Sequence, residues 1–135
     1  MVYVTRRETF SAAHRLYIPS YNDEKNFAIF GKCSNPEWHG HNYILEVTVA
    51  GEPDNKTGFV IDLKMLKEII NEYILEKVDH KNLNTETDFM VGIIPSAENI
   101  AKAIFNELKD KIPSGKLYSV RLFETEKNFV EYLGE

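Results

Sequence analysis

Cysteine is nearly missing from this chain. One residue, Cys33, stands in 135, so no internal disulfide can form and a disulfide-stapled secreted scaffold is excluded. No apolar run approaches the length of a membrane span. The opening segment Met1-Val2-Tyr3-Val4-Thr5-Arg6-Arg7 lacks the apolar core of a signal peptide. Repeats, low-complexity stretches and linkers are absent, so a single domain over residues 1–135 is expected. Excess positive charge is absent too: a net charge of −5 gives bulk electrostatics no reason to attract nucleic acid. These absences predict a soluble cytoplasmic protein with neither nucleic-acid nor membrane partners. Histidine is also scarce, at four residues, and every one lies inside a short motif.

Hydrophobic periodicity supplies the elements. Val2 to Ala13 reads as a strand rich in Thr, Tyr and Val, and His39 to Ala50 as a second. In the second, Tyr43, Leu45, Val47 and Val49 share one parity, and His39 and His41 belong to it. Asp62 to Val78 has helical spacing, with Leu63, Leu66, Ile70, Tyr73 and Ile74 in one stripe and Asp62 as N-cap. Ser96 to about Lys111 reads as a second helix between Pro95-Ser96 and Pro113-Ser114-Gly115. Leu117 to Glu124 and Asn128 to Leu133 read as strands joined through the tight turn at Glu126-Lys127. The order β-β-α-α-β-β predicts an α+β fold, with an antiparallel sheet and two helices on one face. Leu16 to Trp38 reads as a long irregular loop of the kind that carries function.

Four constellations carry chemistry. His39-Gly40-His41 presents two imidazoles on the buried side of a strand, and His14 ends the neighbouring strand. Three neutral nitrogen donors without a fourth protein ligand leave a coordination position open, as in catalytic zinc sites. Zinc leads on chemistry, with iron, nickel or copper behind it. Cys33, in Gly31-Lys32-Cys33-Ser34, is either a small buried hydrophobe or a thiolate base favoured by Lys32 and a nearby metal. Asp79-His80-Lys81-Asn82 is either a helix C-terminus or a relay in which Asp79 orients His80. Glu124, sharing parity with Tyr118, Val120 and Leu122, needs either an Arg or Lys partner or a ligand with adjacent N–H groups, such as a pterin or guanine edge. Arg6, Arg7, Arg15 and Lys32 could hold phosphates or form a salt-bridged surface. A zinc hydrolase is the poorer reading, because no His-Glu-x-x-His motif is present.

Taken together, Phe10-Ser11-Ala12-Ala13-His14-Arg15-Leu16, Phe30-Gly31-Lys32-Cys33, Asn35-Pro36, His39-Gly40-His41-Asn42-Tyr43, Asp79-His80-Lys81-Asn82-Leu83, Glu98-Asn99 and Phe123-Glu124-Thr125 closely resemble the 6-pyruvoyl-tetrahydropterin synthase family. The resemblance spans nearly the whole chain. It implies a tunnelling fold that closes into a β-barrel trimer, two trimers forming a homohexamer with active sites near subunit interfaces. It implies Zn2+ on His14, His39 and His41, a catalytic set of Cys33, Asp79 and His80, and a pterin anchor at Glu124. Arg6 and Arg15 match basic positions expected to meet the triphosphate. The implied reaction converts 7,8-dihydroneopterin triphosphate to 6-pyruvoyltetrahydropterin with loss of triphosphate.

Two departures stand out. Trp38 occupies a position where the family commonly has glycine. Pro95-Ser96-Ala97 replaces a Ser-Thr-Thr run that helps hold the pterin, leaving Ser96 as the remaining polar contact. The rivals are the homologous 6-carboxytetrahydropterin synthase of queuosine biosynthesis, which releases acetaldehyde from the same substrate, and a non-catalytic pterin- or metal-binding protein. The Cys33 to His39 interval resembles the pyruvoyl type.

Overall fold

Two 13-residue strands form the spine of the sheet. β1 (Val2–His14) and β2 (His39–Gly51) pair antiparallel along their full length, from Val2 opposite Gly51 to His14 opposite His39. The computed structural model describes residues 1–135. β4 (Lys116–Thr125) pairs antiparallel with β2, and β5 (Asn128–Tyr132) with β4. A two-residue strand, β3 (Lys81–Asn82), adds to β1 in parallel, giving the order β3-β1-β2-β4-β5. The sheet is therefore mixed, where a purely antiparallel one was expected. Two residues are too short to show a sequence period.

The helices cover one face. α2 (Leu63–Ile70) runs without a break through a π-helical segment, Asn71–Leu75, into α3 (Glu76–Val78). Asp62 caps it by accepting from the Lys64 N–H. The buried residues Leu66, Ile70, Ile74 and Val78 recur every fourth position. An ideal α-helix would drift off the sheet at that spacing, and the wider π turn returns the stripe to it. Leu63, expected in the stripe, is exposed at the first turn. α4 (Ala97–Leu108), shorter than expected, starts at Ser96, whose hydroxyl accepts from the Asn99 N–H. Its Ile100, Ile104, Phe105 and Leu108 join Phe10, Tyr43, Leu45, Val47 and Leu122 in one core.

Two corrections concern single segments. The loop after β1 contains α1 (Asp23–Phe30) and a 3-10 turn, Gly31–Ser34. The only buried residue of α1 is Asn26, so no apolar stripe announces it. Tyr118 does not share the inward face of β4. The register slips between Thr48 and Val49 of β2, and the resulting bulge turns Tyr118 outward against Tyr3, ring centroids 4.7 Å apart.

Candidate metal centre and active site

Register does most of the work at the histidines. His14 lies directly opposite His39, and Ala12 opposite His41, so the three imidazoles fall on the helix-covered face at one end of the strand pair. Their ring centroids are 4.5 to 5.1 Å apart, and one nitrogen from each lies within 4.8 Å of the others. His14 is fully buried. Its Nδ1 lies 2.8 Å from the Pro95 carbonyl, which only accepts, so the proton is on Nδ1 and the Nε2 lone pair is free. The Tyr43 hydroxyl lies 3.3 Å from the same Nδ1.

Four buried imidazole nitrogens make no hydrogen bond of good geometry: His14 Nε2, both ring nitrogens of His39, and His41 Nε2, whose polar neighbour is the Glu124 carboxylate. Each such orphan costs about 1–3 kcal/mol. Burial, ahead of every other cause, lowers the proton affinity of His14 and His39, so both are neutral near pH 7. Neutral, buried, converging lone pairs fit a borderline cation with one position left open.

Glu124 approaches this cluster from β4. Its Oε1 is 3.3 Å from His41 Nε2, and no Arg or Lys forms an ion pair with it. The Arg or Lys partner considered from sequence is therefore absent, and His41 is the residue that meets the carboxylate. Beside it opens a cleft of about 230 Å3 lined by Ala97, Glu98, Leu122, Asn128 and Phe129. Ser96 sits one residue away, but its hydroxyl is engaged as the α4 cap. Burial first, then the Glu124 charge and Cys33, push the Tyr43 hydroxyl up, so it stays protonated between them.

Cys33 is half-buried in its 3-10 turn, and its carbonyl accepts from the Leu16 N–H at 2.8 Å. Asp79 and His80 lie elsewhere. Asp79 caps the helical rod and accepts the Ser11 N–H at 2.9 Å, while the His80 N–H donates to the Ser11 carbonyl at 2.6 Å. Asp79 Oδ2 is 3.1 Å from His80 Nδ1, so the two form the expected pair. The Ser11 N–H is the main reason the Asp79 carboxyl stays below its usual range, with burial opposing and His80 assisting. The His80 side chain is 83% exposed and its φ is +59°. It borders an open cleft of about 450 Å3 lined mainly by Ser11, Ala13, Gly40 and Asn42, of the parity opposite to the histidines, with Ala12 and His41 also reaching it. No hydrogen bond or ion pair joins Asp79 or His80 to Cys33 within one chain.

The basic residues are mostly spoken for. Arg6 pairs with Glu8 through both Nε and Nη2, and Arg7 with Glu46. Arg15 donates to the Ser34 carbonyl and meets Asp23. Sequence reasoning missed the Pro95 carbonyl that orients His14, the Tyr43 hydroxyl beside it, and Asn84, which binds both the N–H and carbonyl of Arg15. Nothing local in the sequence signals these long-range contacts. It also missed why glycine suits position 38: Trp38 has φ +68°, and its N–H closes a turn onto the Asn35 carbonyl.

The 6-pyruvoyl tetrahydropterin synthase family model matches residues 3–135. The chain belongs to this family. It is 47% identical over 132 residues to 6-pyruvoyl tetrahydrobiopterin synthase of Pongo abelii, covering 98% of this chain and 91% of that one. The solved structure of Caenorhabditis elegans 6-pyruvoyl tetrahydropterin synthase superposes with a TM-score of 0.92 at 39% identity, covering 99% and 96% of the two chains. A Rickettsia felis 6-carboxy-5,6,7,8-tetrahydropterin synthase is 30% identical across a longer, 149-residue alignment covering 97% and 99%. The chain is thus a lyase of the 6-pyruvoyl tetrahydropterin synthase type, an α+β protein with a five-stranded sheet.

Proposed function

We propose that this chain is a zinc enzyme that converts 7,8-dihydroneopterin triphosphate to 6-pyruvoyltetrahydropterin and releases triphosphate. The observation that carries the reading is the convergence of one ring nitrogen from each of His14, His39 and His41, within 4.8 Å of one another and beside Glu124. His14, His39 and His41 would hold the metal, which supplies Lewis acidity to the substrate side-chain hydroxyls when bound. Glu124 accepts the paired N–H groups of the pterin ring. Cys33, as thiolate, removes the side-chain proton, and His80, oriented by Asp79, carries protons to and from the reacting carbons. Ala97 leaves Ser96 as the polar group nearest the ring at the α4 start.

Because no hydrogen bond or ion pair joins Asp79 or His80 to Cys33 within one chain, they serve the site of a neighbouring subunit. Open backbone edges on β5 and on β1 before Ala12 support closure of the sheet into a trimeric barrel, and two trimers into a hexamer. No helix is long and apolar enough to cross a membrane, and the lone cysteine suits the reducing cytoplasm.

The carboxy product is the second reading. The higher identity to pyruvoyl-forming relatives, over an alignment no longer than the chain, favours the first. Incubation with dihydroneopterin triphosphate and mass spectrometry of the products decides. The pyruvoyl pterin is expected; carboxypterin with acetaldehyde would establish the second reading, and unchanged substrate would leave a binding protein.

A further inference from the structure

Cys33 sits on a short 3-10 turn that follows α1. The 3-10 segment Gly31–Ser34 has one internal side-chain bond, from the Ser34 hydroxyl to the Gly31 carbonyl. Its attachment to the metal end of the molecule comes from the two residues that follow His14. The Leu16 N–H donates to the Cys33 carbonyl, and Arg15 Nε donates to the Ser34 carbonyl at 2.8 Å. Arg15 is an unusual choice for a surface anion site, since its side chain is only 13% exposed. The guanidinium lies 4.0 Å over the Tyr17 ring, and Tyr17 meets Trp38 edge-on. Its Nη2 reaches Asp23, a residue in the first turn of α1. The Arg15 backbone is itself held at both polar groups by the Asn84 side chain.

Building on the proposed role of Cys33 as base, we propose that Arg15 is a positioning residue that fixes the Cys33 turn against the histidine cluster, and not a triphosphate contact. Its planar fork meets a carbonyl, a carboxylate and an aromatic face at once, which lysine's single point charge cannot reproduce. One side chain thereby ties the start of α1, the residue after Cys33, and Tyr17 beside Trp38 to the residue next to His14. Placement at this level decides rate, because a misplacement near 1 Å costs about a hundredfold.

The test compares Arg15→Gln and Arg15→Lys with wild-type zinc-loaded oligomer. Four quantities are measured: zinc content, kcat and KM with dihydroneopterin triphosphate, inhibition by inorganic triphosphate, and the rate of Cys33 alkylation by iodoacetamide. In both variants kcat should fall about ten- to a hundredfold, while KM and the triphosphate inhibition constant stay within about twofold. Zinc should be retained and Cys33 alkylation should accelerate as the turn loosens. Should Arg15→Gln fail to fold, Arg15→Lys carries the same test. A weakened triphosphate inhibition with kcat preserved would overturn the proposal and return Arg15 to phosphate binding. Rescue of kcat by lysine, or an unchanged alkylation rate, would also overturn it. Whether Cys33 is the base is read separately, from Cys33→Ala turnover, so the two failures are distinguishable.

Discussion

The histidine cluster and the Asp79-His80 pair hang on the same last four residues of β1, yet they are built in opposite ways. The cluster is local: strand register alone brings His14, His39 and His41 together, and burial keeps their lone pairs dry. Asp79 and His80 arrive from the end of a helical rod and grip the Ser11 backbone. His80 then projects into solvent from a left-handed backbone, a conformation that non-glycine residues hold when the surroundings impose it. On the proposed reading, a single chain supplies all three metal ligands but shares its proton relay with a neighbour.

Substitutions should separate the two regions, and the largest effect belongs to the cluster. His39→Ala should lose its zinc by elemental analysis and its turnover with it; full metal content would break the contrast. Cys33→Ala should keep its zinc and lose about 10²–10⁴ in kcat. His80→Ala should also keep its zinc, since its partners are Asp79 and the Ser11 backbone and not the histidines, and should lose about a hundredfold or more in kcat. Its melting temperature should hardly move, because an exposed ring contributes little packing.

Two smaller effects sharpen the comparison. Trp38→Gly should change unfolding free energy by less than about 1 kcal/mol. Relief of the left-handed backbone, about 1 kcal/mol, offsets a lost aromatic contact of about 0.5–1.5 kcal/mol. Asp79 should contribute to acid sensitivity. Its folded carboxyl titrates below the usual 3.8, so the stabilisation is complete above about pH 4 and is lost as pH falls through the folded value. Urea midpoints between about pH 5 and pH 3 should therefore fall less in Asp79→Asn than in wild type.

The contrast also explains what was legible in the sequence. Parity alone placed His39 and His41 on the face of Tyr43 and Leu45, because a long regular strand carries its own coordinate system. The long strands and helices were legible for the same reason. α1 was not, since Phe27 and Ile29 are exposed and its one buried side chain, Asn26, clasps the backbone of Ile18 and Tyr21. The Asn22 cap and the acidic first turn at Asp23 and Glu24 were the available signals. The residues themselves did not show that Cys33 and Asp79-His80 are unconnected within one chain, since motifs record residue types and order but not the face on which a docked pair ends; only the family resemblance pointed to a site near a subunit interface. The engagement of Arg6 and Arg15 by protein partners was hidden for the same reason.

Mixed oligomers test the shared relay most directly. Cys33→Ala and His80→Ala subunits, each reduced at least about a hundredfold alone, are unfolded together, reassembled with zinc, and assayed for turnover. If His80 of one chain serves Cys33 of another, the mixture contains sites with both residues intact and recovers a substantial part of wild-type activity. No recovery from mixed oligomers of native size and zinc content would mean that the relay and the base act within one chain.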